Sequence, residues 1–195
     1  LKDDFNCIMP CLYGFGLSDK PDALRDDLNA PFHANDIIQL VQKTCDRPPV
    51  LIGHDIGSHV LQCCATMKFR SGEQLDPAGL IFFNCPTPSV GNEWIAQGHV
   101  NEIWYQSFHL TELAVDLVGH SRETTEIYLE HFLRHWSFCK EAYEPFLQKL
   151  VEIFSSKNAI YGGFSWYKSN NNARLETIAG EKESYNPKIK IPSAV

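Results

Sequence analysis

A run of apolar, partly β-branched residues, Val50-Leu51-Ile52, ends in Gly53-His54-Asp55-Ile56-Gly57, and Val60-Leu61-Gln62-Cys63-Cys64-Ala65 follows with the character of a helix. This Gly-x-Asp-x-Gly junction constrains the 195-residue chain more than any other feature. A strand that turns sharply into a helix needs glycines where backbone crowds backbone, because a Cβ there would clash. The central side chain is then pushed out over the end of the sheet. Here it is a carboxylate, Asp55. A carboxylate is poorly suited to acyl transfer and well suited to displacement at a saturated carbon.

The flanking pattern alternates. Residues 6–12 are expected as a buried strand, and Tyr13 to Pro21 as a loop broken by Gly14, Gly16 and Pro21. Phe32 to Cys45 carries Ile37, Leu40 and Val41 at helical spacing. Pro48-Pro49 leads into a strand over Val50 to His54, and the helix after Asp55 is expected to reach about Arg70. Gly79 to Asn84 reads as a third buried strand, stopped by Pro86 and Pro88. Such alternation implies a parallel sheet with helices on its faces, an α/β fold. From about Glu93 to Lys182 only helical patterns occur, rich in aromatic residues, and Lys188 to Val195 resumes a strand. A helical block between two sheet strands is a cap. The expected organisation is core over residues 1–92, cap over 93–185, and the start of a returning core strand over 186–195.

Composition excludes several function classes. The net charge is −7, with no long basic patch, so nucleic acid is not an expected partner. No apolar run is long enough to span a bilayer and no leader pattern opens the chain, so no membrane association is expected. The seven cysteines are odd in number, and most fall on apolar segments. They read as buried free thiols of a reducing compartment, the cytoplasm. Cys63 and Cys64 are helix neighbours that diverge, and no CxxC pair suggests zinc. His131 and His135 share a helix face but lack the glutamate of an HExxH site, so no metal is expected.

Gly53-His54-Asp55-Ile56-Gly57, the loop Tyr13-Gly14-Phe15-Gly16-Leu17-Ser18-Asp19-Lys20-Pro21 and the helical insertion together resemble the α/β-hydrolase superfamily, in its epoxide hydrolase and dehalogenase branch. The resemblance implies a partial α/β-hydrolase core with an inserted all-helical cap. It makes Asp55 the nucleophile and the Ile56 backbone N–H an oxyanion-hole donor. Trp104-Tyr105-Gln106-Ser107-Phe108 resembles the segment of the family's first cap tyrosine, and Phe164-Ser165-Trp166-Tyr167-Lys168 that of the second. Tyr105 and Tyr167 would then hydrogen-bond an epoxide oxygen and stabilise the alkoxide that develops on ring opening. Trp104, Phe108 and Trp166 would line the site for a small apolar organic substrate. Read from the residues alone, both tyrosines also fit the aromatic core of the cap.

The implied reaction has two steps. Asp55 forms an ester with a ring carbon, and a histidine oriented by a second carboxylate activates water to hydrolyse it. No metal or organic cofactor is required. A haloalkane or haloacetate dehalogenase is the alternative within the branch, although Ile56 stands where those enzymes usually carry Trp or Arg, and where many epoxide hydrolases also carry Trp. A non-catalytic module that binds an apolar ligand under the cap is the alternative outside it. The resemblance puts the acidic partner and the base on loops after the cap, and a His-Gly-x-Pro segment before Leu1. The chain is thus expected to be the middle of a hydrolase, marginally stable by itself, alkylated at most once and unable to turn over.

Overall fold

The computed structural model describes residues 3–66, 75–84, 97–178, 189 and 191–194, side chains excepted at 100 and 172–178. Two compact units are present. One comprises Leu1–Arg25 with Gln106–Lys168, the other Asp26–Tyr105 with Ser169–Val195.

The second unit holds the sheet. Strands β1 (Val50–His54), β2 (Gly79–Phe83) and β3 (Ser193–Ala194) lie in that order and pair in parallel. Val50 stands opposite Gly79 and His54 opposite Phe83, so the two longer strands end together. Helix α1 (Ala30–Thr44) begins where the Asn29 carboxamide accepts the Phe32 N–H at 3.0 Å, with Pro31 in the first turn. Its buried stripe is Ala30, His33, Ala34 and Ile38 rather than the expected Ile37, Leu40 and Val41, which are half-buried. Helix α1 packs on α2 (Ile56–Thr66), where the Cys64 thiol reaches the Ala34 carbonyl at 3.7 Å. Helix α2 in turn lies on β1 and β2. The core of this unit is Leu28, Ala34, Ile38, Val60, Leu61, Cys64, Leu80 and Phe82. A 3-10 turn, His99–Ile103, leads into the short helix α3 (Trp104–Phe108).

The first unit is helical. It contains α4 (Glu112–Val118), α5 (Arg122–Trp136), a 3-10 turn (Lys140–Ala142), α6 (Glu144–Phe154) and the first half of α7 (Lys157–Ile178). Thr111 caps α4, and Ser121 with Thr124 forms a reciprocal capping box on α5. Ala114, Val115 and Val118 of α4 meet Ile160 and Phe164 of α7 in a closed core.

The parallel sheet, its flanking helices and the helical block agree with the fold expected from sequence. Residues 6–12 do not: they form no strand, and all but Leu12 are exposed. Pro10 interrupts that apolar run and has no N–H to give to a ladder. The cysteines also differ from expectation. Among the described residues, Cys7, Cys11 and Cys139 are exposed and only Cys64 is fully buried, all of them free thiols. Burial pushes the Cys63 thiol up to about 11 and the Cys64 thiol up to about 12. Cys85, Pro86, Pro88, Trp94, the expected end of α2 near Arg70 and the expected cap end near Lys182 lie outside the described residues. Among the described residues no helix is long and apolar enough to cross a membrane.

Candidate active site

Asp55 is the single residue between β1 and α2, and it stands at φ +50°. A residue with a Cβ adopts that left-handed conformation at a cost of roughly 1–2 kcal/mol, and such outliers persist where the surroundings hold them. Here the hold is a set of hydrogen bonds. The Asp55 N–H donates to the Phe83 carbonyl at 3.0 Å, and the Asp55 carbonyl accepts from Ser58 N–H at 2.9 Å and His59 N–H at 3.3 Å. The Asp55 side chain is exposed at the carboxyl end of the parallel sheet, the end where α/β folds place their ligands.

The two glycines of the junction are not equivalent. A Cβ on Gly53 would lie 2.7 Å from the Gly57 carbonyl carbon and oxygen and 2.8 Å from the Ser58 nitrogen, so only glycine lets α2 close over the strand end. A Cβ on Gly57 would meet nothing within 4 Å among the described residues, which corrects the expectation that both are sterically required. Ile56 opens α2, so its N–H belongs to the unsatisfied first turn and can serve as a donor to an oxyanion. His59, one turn on, is held below its usual range by burial, with the Asp55 charge opposing that shift.

A second strained residue, not anticipated from sequence, lies beside the first. Asn84 stands at φ +48° directly after β2, as Asp55 does after β1. Its carboxamide nitrogen lies 3.4 Å from Nε2 of His54. The available signal was the residue type, since Asn tolerates the left-handed region better than most.

Trp104 and Tyr105 belong to the sheet-bearing unit, their rings meeting edge-on with centroids 6.5 Å apart. Trp104 is exposed and Tyr105 half-buried. Phe108, Trp166 and Tyr167 belong to the helical unit. Phe108 packs on the Ala114–Phe164 core, Trp166 is buried, and Tyr167 is half-buried.

Tyr167 has a partner that spacing did not reveal. The His109 ring lies 4.4 Å from the Tyr167 ring and stacks on Phe164 at 4.0 Å, and its Nε2 shares a hydrogen bond with the Tyr128 hydroxyl. Burial among these rings pushes His109 down to about 3. An unfolded histidine titrates near 6.5. Between those values the unfolded chain binds a proton that the folded chain refuses, so stability falls as pH drops from about 6.5 towards 3. The slope for this one group is about 1.4 kcal/mol per pH unit. His33 and His59, also held low by burial, act in the same direction. Urea unfolding at pH 7.5 and 5.5 should show a clear loss at the lower pH. The loss should be smaller in His109→Phe; an unchanged difference would exclude His109 as a source.

The Tyr13–Pro21 loop is fixed to the same helical unit. Gly14, at φ +88°, touches Gly162 of α7 so closely that a Cβ on Gly162 would lie 2.0 Å from the Gly14 carbonyl oxygen. The loop closes on itself through Gly14 N–H to Asp19 carbonyl at 2.8 Å and Ser18 hydroxyl to Cys11 carbonyl at 2.6 Å. The Lys20 ammonium donates to the Gly16 and Ser18 carbonyls.

Among the described residues no group of three or more His, Cys, Asp or Glu side chains is placed to hold a metal ion. His131 and His135 are exposed on α5 with parallel rings 6.3 Å apart.

No protein-family model matches the chain and no curated protein sequence matches it. Solved structures do. A candidate α/β hydrolase from Nostoc sp. PCC 7120 superposes with a TM-score of 0.68 at 19% identity, over 93% of this chain and 60% of that one. A candidate epoxide hydrolase from Pseudomonas aeruginosa gives 0.68 at 17% identity, over 93% and 59%. A candidate acyltransferase from Salmonella enterica gives 0.70 at 16% identity, over 87% and 56%. This chain spans 56–60% of the length of those structures. The likeness is one of fold: the chain has an α/β-hydrolase fold, with part of the core and a helical block.

Proposed function

We propose that Asp55 is a nucleophile that attacks a saturated carbon of a small apolar substrate, an epoxide above all, and forms an alkyl-enzyme ester. The observation that carries this reading is the carboxylate itself: exposed, on a left-handed turn, at the carboxyl end of a parallel sheet and directly before a helix N-terminus. Asp tolerates the left-handed region better than most residues, so it is the place of the exposed carboxylate, at the strand end and ahead of the helix, that points to chemistry. The α/β-hydrolase fold supports the reading because nucleophiles of that fold stand on such a turn.

In the first step a carboxylate oxygen of Asp55 bonds to a ring carbon as the ring C–O bond breaks, and the electron pair remains on the departing oxygen. Tyr105 and Tyr167 are the proposed donors to that oxygen, one of them giving up its proton. Trp104, Phe108 and Trp166 are the proposed apolar walls. In the second step, water would give its proton to the base that the resemblance puts after the cap and add to the ester carbonyl, with the Ile56 N–H stabilising the oxyanion; the acyl C–O bond then breaks, the diol leaves with a proton, and the Asp55 carboxylate is restored. An epoxide is favoured over a carbon–halogen bond because two tyrosine hydroxyls suit a developing alkoxide; Ile56 departs from the Trp of many epoxide hydrolases as it does from the dehalogenase patterns. The chemistry calls for neither a metal nor an organic cofactor.

Incubation with a reactive aryl epoxide should add one hydroxylamine-labile epoxide to the intact mass. Saturable, reversible binding of the epoxide without any adduct would favour a ligand-binding module and overturn the nucleophile assignment.

A further inference from the structure

Among the described residues, Ser58 is the one fully buried polar side chain at the strand ends. It sits three residues after Asp55, in the first turn of α2, yet its hydroxyl serves two strands rather than its own helix. The hydroxyl lies 2.7 Å from the Gly53 carbonyl, one residue before the end of β1, and 3.0 Å from the Phe83 carbonyl, the last residue of β2. Its oxygen also accepts the Phe83 N–H at 3.3 Å. A hydroxyl has one proton to give, so it is shared between the two carbonyls while the lone pair receives Phe83. The same Phe83 carbonyl accepts the Asp55 N–H.

These contacts converge on the two strained residues. Gly53 lies two positions before Asp55, and Phe83 immediately before Asn84. Asp55 and Asn84 are the described non-glycine residues with positive φ, and they occupy matching positions after paired strands. Conformations that cost energy persist only when the surrounding structure over-determines them. The buried hydroxyl touches the backbone on the approach to both.

We propose that the Ser58 hydroxyl is a positioning residue: a latch that holds the Asp55 and Asn84 turns in their left-handed conformations and so fixes the direction of the Asp55 carboxylate. Ser58 does not face the substrate. It acts through the backbone, by tying the end of β1 and the start of α2 to the end of β2. The consequence for reactivity rests on the proposed role of Asp55; the consequence for the two turns does not. Displacement at carbon requires the attacking oxygen in line with the breaking bond, and a misplacement of about 1 Å costs on the order of 10²-fold in rate.

Two readouts separate the latch from the nucleophile assignment. The first is the rate of epoxide labelling at saturation and the half-saturating concentration, measured for the wild type, Ser58→Cys and Ser58→Ala. The latch predicts a maximal rate about 10- to 100-fold lower in Ser58→Ala, an intermediate rate in Ser58→Cys, and half-saturation unchanged within about twofold. Thr125→Val supplies a control for simple destabilisation. It removes a fully buried hydroxyl bonded to the Val118 carbonyl at 2.9 Å in the helical unit, and should leave both constants unchanged. The second readout is amide hydrogen exchange, which needs no reaction. In Ser58→Ala the Asp55 amide should exchange at least about 10-fold faster, while amides in the centre of α1 keep their protection. A wild type that is not labelled would count against the nucleophile alone, and exchange would then decide the latch. Equal labelling rates in labelled proteins, or unchanged Asp55 exchange in Ser58→Ala, would overturn the latch.

Discussion

Asp55→Asn should abolish the hydroxylamine-labile adduct, lowering its rate of formation by on the order of 10³-fold or more, as loss of a covalent nucleophile does elsewhere. The substitution is well suited to the question because it changes little else. Asn and Asp are nearly isosteric, and Asn tolerates φ near +50° at least as well as Asp, so the strained turn should survive. The Asp55 N–H to Phe83 bond is a backbone bond and remains. Thermal midpoints of the wild type and Asp55→Asn should therefore agree closely. Asp55→Ala should lose the adduct as completely but fold less stably than Asp55→Asn by about 1 kcal/mol, because Ala in a left-handed turn has no local side-chain bond to offset the strain. An Asp55→Asn protein labelled as fast as wild type, with the label still labile to hydroxylamine, would move the nucleophile elsewhere.

The largest stability effect should come from Gly162. A Cβ there falls 2.0 Å from the Gly14 carbonyl oxygen and 2.6 Å from the Gly14 carbonyl carbon and Cα. These are backbone atoms that cannot rotate away, and Gly14 is itself held at φ +88° by its bond to Asp19. The Tyr13–Pro21 loop and α7 must separate, which costs about 3 kcal/mol at the upper end of overpacking effects. For a chain of this size Gly162→Ala should lower the melting temperature by roughly 6–12 °C. The next residue is an internal control. Among the described residues, a Cβ on Gly163 meets only Phe154 Cε1 at 3.8 Å, an ordinary contact. Gly163→Ala should stabilise the helix by about 0.5–1 kcal/mol, because a helix-interior glycine loses more backbone entropy on folding than alanine. Opposite shifts in adjacent glycines are the expected signature. A Gly162→Ala protein that melts with the wild type would show that the loop does not sit on α7 as described.

Strands β1 and β2 and the turn between β1 and α2 were legible in the sequence because their signals are local. Pro48-Pro49 and Gly79 bound apolar runs too short for helices, and Gly53-His54-Asp55 can only be a crowded exit from a strand. Residues 6–12 misled for a related reason. Their composition is apolar, but hydrophobicity alone does not supply a ladder partner, and Pro10 removes a donor. The non-local contacts within each unit left no trace. Ser58 and Phe83 are 25 residues apart and His109 and Tyr128 are 19 apart, and neither pair shares a periodicity. A serine one turn into a helix reads as a neutral surface choice until the end of β2 is seen above it. The left-handed Asn84 was legible in residue type but not in place, since Asn before Cys-Pro fits several turns equally well.

Epoxides also alkylate thiols, and Cys7, Cys11 and Cys139 are exposed. Added mass alone therefore does not identify the nucleophile. Tandem mass spectrometry of the labelled, proteolysed chain, with and without hydroxylamine, separates a carboxylate ester from a thioether. The expected result is one ester, on the peptide containing Asp55, removed by hydroxylamine and absent from Asp55→Asn. Label found only as hydroxylamine-stable thioethers on cysteine, with the Asp55 peptide unmodified, would contradict the assignment of Asp55 as the group that bonds to carbon.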